Sequence, residues 1–201
     1  MLDKLGEIMN KIFISLTLFL TLLVSISKVN AMSLNLNRSS LSFISIKKGH
    51  IAEINYFKKF ALQISDQGLF QLSIDLSSVD TGIPLRDSRI RQHVFETNRF
   101  SEAIFQGKVN SNLYRNLKPG QYVNTVISGS LHLHGLTQKL QIAVNMTQLA
   151  DGQLHIMNTT PILLDGNWFH FKKGIEKLKS IAHLKEINMT IPISFDIYLR
   201  N

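Results

Sequence analysis

Two short groups of side chains have types and spacings that bear on chemistry. His132-Leu133-His134 places two imidazoles two residues apart. On a strand they would share one face, about 7 Å apart, a separation that a metal pair can use. They fall on the polar, outward side of an alternating run, and no third ligand follows at ligand spacing. His50, His93, His155, His170 and His183 show no ligand spacing with one another either, so no metal site is expected. Arg86-Asp87 is the sharper polar pair. It can meet the polar head of a ligand at the mouth of a cavity, or it can anchor a helix through an ion pair or a capping contact. Catalysis has little to work with. Ser128-Gly129-Ser130 is not a nucleophile elbow. Asp75, Asp80 and Asp165 have no partner that would make them acid and base. There is no phosphate-cradling glycine loop and no dinucleotide fingerprint. No catalytic residue is expected, and the chain reads as a non-enzyme.

The elements that must position these residues are strands. Alternation of apolar and polar residues runs through 69–76, 123–133, 140–147 and 187–200, the period-two pattern of half-buried strands. Ile187, Met189, Ile191, Ile193, Phe195, Ile197 and Leu199 form the longest such row. Weaker strand patterns lie at 40–47, 50–56, 59–65, 102–110 and 153–163. Turn residues separate them, and Asp151-Gly152 between two runs predicts a hairpin. Two stretches break the pattern. Between Ser78 and Phe95, Asp80 or Thr81 can cap a helix that starts at Pro84. Between Lys172 and Leu184, Ile175, Leu178, Ile181 and Ala182 form an apolar stripe with lysines opposite. The single Trp168, with Phe169 and Phe171, is expected to plug one end of the fold. The expected fold is all-β: a single antiparallel eight-stranded barrel with one or two short helices at its ends. Closure removes unpaired edges, and eight strands enclose either packed side chains or one small ligand.

The chain has 201 residues, a size suited to one domain, and no cysteine, so it has no disulfide, thiolate metal site or cysteine nucleophile. Ile12 to Ser27 is an uncharged apolar run of 16 residues, short of the about 20 that span a bilayer. Lys11 precedes it and Val29-Asn30-Ala31 follows it. A charged start, a greasy middle and a small-residue exit describe a secretory signal peptide over residues 1–31, with Met1 or Met9 as the start. The mature domain is then 32–201. Removing 1–31 takes away Lys4, Lys11, Lys28, Asp3 and Glu7, so the net charge falls from +8 to +7. The basic residues are scattered and lack interleaved stacking aromatics, so nucleic acid is not an expected partner. An anionic membrane surface is.

Ser78-Val79-Asp80-Thr81-Gly82, with Arg86-Asp87, Arg91 and Phe95 after it, resembles the "SVDTG…RD…R…FF" signature of the YceI-like family of exported lipid-binding proteins. Gly129-Ser130-Leu131-His132-Leu133-His134-Gly135-Leu136-Thr137-Gln138-Lys139 is similar to that family's "GxLTLHGVTK" segment, and Gly174 to Phe195 to the ending of one subgroup. The likeness covers nearly all of 33–200. Three departures stand out: no His follows Lys47, Phe100-Ser101 replaces an aromatic followed by proline, and His132 replaces a threonine.

The resemblance implies a lipocalin-like barrel with an apolar tunnel and no catalysis. The tunnel lining is expected from Leu72, Ile74, Ile127, Leu131, Leu140, Ile142, Ile193 and Phe195, with Arg86 and Asp87 at the mouth. No cofactor is expected beyond a bound polyisoprenoid or quinone-like lipid. Expected partners are that hydrophobic lipid, an anionic membrane surface in transient contact, and a second copy of the chain as a homodimer. The expected location is periplasmic. The alternative is a structural or partner-binding envelope module whose barrel is filled, because periodicity does not separate a hollow barrel from a packed one.

Overall fold

A computed structural model describes residues 32–200; the signal-peptide expectation lies outside them. Twelve strands alternate with three short helices: β1 (Met32–Leu34), β2 (Ser40–Lys47), β3 (Ile51–Phe57), β4 (Phe60–Ile64), β5 (Leu69–Asp75), β6 (Val79–Asp80), α1 (Pro84–His93), β7 (Glu102–Lys108), α2 (Asn112–Arg115), β8 (Tyr122–Leu133), β9 (Leu136–Gln148), β10 (Leu154–Asn158), β11 (Ile162–Asp165), α3 (Lys172–Ile181) and β12 (Thr190–Arg200). Pairing runs β1-β4-β5-β7-β8-β9-β10-β12, and β12 returns to β1. That is a closed ring of eight antiparallel strands, as the alternation led one to expect.

The additional strands are continuations. Met32 faces Ile64, whereas Ser42 faces Tyr56, so ten residues of β1–β2 match eight of β3–β4. Tyr56 faces Asp80 and Phe60 faces Ile74, so four residues match six. Met157 faces Asp196 and Ile162 faces Ile193, so five match three. Each break inserts two residues on one strand. An even insertion restores the side-chain parity, so the same face stays inward on both sides of the break.

The inward rows are the apolar ones. Val144, Met146, Ile197 and Leu199 are almost completely buried, whereas their neighbours Asn124, Ser128 and His132 on β8 face solvent. Gly107 of β7 pairs with Gly129 of β8 on the inner face. A Cβ on Gly129 would lie 2.6 Å from the Phe105 ring, and one on Gly107 would lie 2.8 Å from the Phe70 ring. The two glycines are niches for phenylalanines of the core.

α1 begins at Pro84 as its φ dictates, but neither Asp80 nor Thr81 is its cap: Ile83 holds that position without a side-chain bond. Asp80 instead accepts from the Gly82 N–H at 2.9 Å. α3 buries Gly174 and Ile175 and leaves Lys172, Lys173 and Lys177 outside. α2, which covers the other side of the barrel with a buried Tyr114, was not expected. Its four residues are too few to show a helical period.

Candidate functional site: an apolar bore with a polar collar

Inside the ring lies a cavity of about 50 Å³ lined only by apolar side chains. Leu62, Ile64, Phe70, Leu72 and Phe105 wall one side; Ile127, Ile142, Val144, Met146, Ile156, Phe195 and Ile197 wall the other, with Val109 beside them. Four of the eight expected lining residues, Leu72, Ile127, Ile142 and Phe195, meet here. Leu131 is buried elsewhere in the same core, and Ile74, Leu140 and Ile193 pack against it. The phenylalanines Phe70 and Phe105, with ring centroids 5.3 Å apart, were not singled out from the sequence as lining.

One end of the barrel is closed by aromatic rings. Phe43 meets Phe57 at 5.3 Å between centroids, Phe57 meets Phe95 at 5.8 Å, and Phe95 meets Phe171 at 5.7 Å. Phe171 also touches Phe169 and the His134 imidazole. Trp168 takes no part: it is 42% exposed, and the plug belongs to Phe169 and Phe171. The chain contributes Phe95 to the plug from the loop after α1 and Phe171 from the residue before α3.

A polar collar sits beside this plug. In β3, Ala52, Ile54 and Tyr56 are exposed, so Glu53, Asn55 and Phe57 form the inward row. Arg86 donates to Glu53 Oε2 at 2.7 Å and to the Thr81 carbonyl at 2.6 Å. Lys47 reaches Glu53 Oε1 at 2.8 Å. The bond from Lys47, with Arg86 beside it, holds the Glu53 carboxyl below its ordinary range, against a smaller opposing effect of burial. Asp87 is buried and accepts from the Thr81 N–H at 2.9 Å and the Thr81 hydroxyl at 2.5 Å. Arg86 and Asp87 therefore do not pair with each other. Both fasten α1 to the rim. Asn55, 1% exposed, donates to the Ser45 hydroxyl and to backbone carbonyls, which turns its oxygen the other way, without a partner among the described residues. Lys47, Glu53 and Asn55 were not singled out from the sequence. In β3 the more apolar row, Ala52-Ile54-Tyr56, is the outward one, so alternation gave no signal that Glu53 and Asn55 lie inside.

The two histidines of His132-Leu133-His134 separate. His132 lies outward and contacts Thr137 Oγ1 at 3.0 Å. His134 does not share that face: it occupies the tight β8–β9 turn and folds back against Phe100 and Phe171. No three His, Asp or Glu side chains gather as a metal site among the described residues.

A closed antiparallel barrel whose central cavity is lined only by apolar side chains, with charged groups at its rim, defines the lipocalin-like class. The YceI-like domain model matches residues 32–199, and the chain belongs to that family. Among solved structures, a polyisoprenoid-binding domain from Saccharophagus degradans, implicated in plant cell wall breakdown, is 32% identical. The match covers 86% of this chain and 99% of that one at a TM-score of 0.82. BcnA of Burkholderia cenocepacia is 20% identical over 82% of this chain and 98% of its own, with a TM-score of 0.64, and shares the fold. No curated protein matches significantly.

Proposed function

We propose that this chain is an exported, periplasmic, non-enzymatic carrier that sequesters the hydrocarbon chain of a polyisoprenoid or quinone-like lipid inside the barrel and exchanges it at an anionic membrane surface. The observation that carries the reading is the bore itself: thirteen apolar side chains facing one another with no polar atom among them. The similar Saccharophagus degradans domain, described as polyisoprenoid-binding, supports the ligand class. Burial of a hydrocarbon tail is driven by about 25 cal/mol per Å² removed from water.

The cavity of about 50 Å³ is small beside the roughly 300–1,000 Å³ of ordinary ligand pockets. Loading therefore requires the rings to move. Phe70, Phe105 and the Phe43-Phe57-Phe95-Phe171 series are the side chains that must part, and two of the three phenylalanines in the cavity wall, Phe70 and Phe105, lie over glycines. Arg86 and Asp87 act by holding α1 at the rim, and the inward Asn55 oxygen has no partner among the described residues.

Native mass spectrometry and solvent extraction of protein purified from envelope membranes test the reading. A bound isoprenoid or quinone-like species is expected. Protein that carries no lipid and takes up neither polyprenol nor quinone overturns it, and leaves the packed-barrel module.

A further inference from the structure

A second concavity, outside the bore but backed onto its plug where His134 meets Phe171, lies between α1, the segment 94–100 and α3. It is an open polar groove of about 1350 Å³. Its walls break the rules that make helices stable. α3 opens with Lys172 and Lys173 and has no acidic residue in its first turn, so two cations stand at the positive end of the helix dipole. Lys177 follows Lys173 by one turn, a like-charged pair at a spacing that destabilises a helix. The groove's two carboxylates are already matched: Glu96 by Arg99 at 2.7 Å and Glu176 by Lys179 at 2.5 Å. Lys173 and Lys177 have no carboxylate within 4.0 Å among the described residues, and Arg91 makes only a 3.4 Å bond to the Ser77 carbonyl.

An independent feature marks the same place. His134 lines the groove with its side chain only 10% exposed. Its Nε2 has no hydrogen-bond partner among the described residues and stands 3.5 Å from Glu96 Oε1. His134, Glu96 and His170, all in this wall, have φ of 52°, 48° and 59°. At His134 this is the ordinary geometry of a two-residue hairpin turn with Gly135, and at His170 that of a helix-end cap. Gly174 lets α3 lie close against the end of α1: a Cβ there would lie 2.0 Å from the His93 carbonyl oxygen.

We infer that this groove binds a phosphate ester anion. Arg91, Lys173 and Lys177 hold its oxygens, and His134 is the buried donor at the groove floor. A phosphate oxygen between Lys173 and Lys177 removes their repulsion and compensates the dipole at the start of α3. The inference stands beside the carrier reading and does not depend on it, since it uses none of the bore residues.

Titration of the isotope-labelled protein with inorganic phosphate and with glycerol 3-phosphate, at constant ionic strength, is followed by amide shifts. Co-sedimentation with phosphatidylglycerol vesicles, against phosphatidylcholine vesicles, is run in parallel. Shifts confined to 88–100, 134 and 170–180 are expected with the soluble anions when the natural ligand is a small phosphate. Sedimentation with phosphatidylglycerol alone is expected when it is a lipid headgroup. In either arm K173Q/K177Q weakens binding about tenfold or more, the loss that goes with charge-assisted hydrogen bonds. H134N keeps the turn, since Asn-Gly suits it, and also weakens binding. The inference is overturned if neither probe binds, or if binding survives K173Q/K177Q, which would mark diffuse charge attraction. Lipid extraction from the bore is scored separately, so its failure leaves this result readable.

Discussion

Glu53 shows how one inward carboxylate organises the rim. Lys47 and Arg86 both reach it, one on each oxygen. The bond from Lys47 is the main reason its carboxyl lies below the ordinary value of 4.5. A depressed carboxylate contributes stability above its unfolded value, and the contribution disappears as pH falls through the lower folded value. Stability measured by denaturant titration is therefore expected to drop below pH 4.5, and E53Q is expected to flatten that part of the profile. Asp87 is a second rim residue with a simpler task. Replacing it with alanine leaves the Thr81 N–H and hydroxyl without their acceptor. The expected cost is about 1–3 kcal/mol in urea unfolding, with the barrel signature retained in far-ultraviolet circular dichroism. The motif words around Asp80, Arg86 and Asp87 were legible in the sequence; their partners were not. Arg86 pairs with a residue thirty-three positions away, and only the folded chain brings the two together.

Among the elements, the helices are the most closely fitted parts. Gly174 lets α3 lie against the end of α1, so G174A is expected to lower stability by about 1–3 kcal/mol, the usual effect of overpacking, seen as a lower thermal midpoint. G129A presses on the Phe105 ring and on the Gln106 carbonyl, each within 2.7 Å of the new carbon. It is expected to cost a similar amount and to reduce lipid uptake, because the ring is driven from its niche into the cavity. β8 was readable to within one residue, whereas β9 begins four residues before the alternating run at 140–147 and β12 begins three residues into the run at 187–200. The run 153–163 joined β10 and β11 but did not show the break between them, and the runs 50–56 and 59–65 did not show that β3 and β4 are one broken strand. The breaks at Thr159–Pro161 and Lys58-Lys59 are defined by register against a neighbour, and that register is a long-range property.

At the scale of the molecule, the barrel is closed, apolar inside and nearly filled. Ile142 sits in the cavity wall at 6% exposure. I142W occupies the remaining space, and the carrier reading expects loss of isoprenoid uptake in a fluorescence-displacement assay while the fold persists. Conversely, F105L enlarges the cavity and is expected to cost about 1–2 kcal/mol while speeding uptake of a fluorescent probe. If uptake is unchanged in both, the hydrocarbon does not enter here.

Period-two alternation and turn residues were enough to determine an antiparallel all-β domain and to favour a closed barrel over a sandwich, because alternation reports directly which face of a strand avoids water; the closure itself is set by the β1–β12 pairing. The interior volume was beyond that information. Leu72, Ile74, Leu131 and Ile142 look equivalent along the chain, yet only Leu72 and Ile142 face the cavity. The width of the bore depends on how rings from distant strands interlock, and the convergence of Lys173, Lys177, Arg91 and His134 on one groove depends on two helices crossing at a glycine. Both are matters of three-dimensional packing, settled by contacts between residues far apart in the chain.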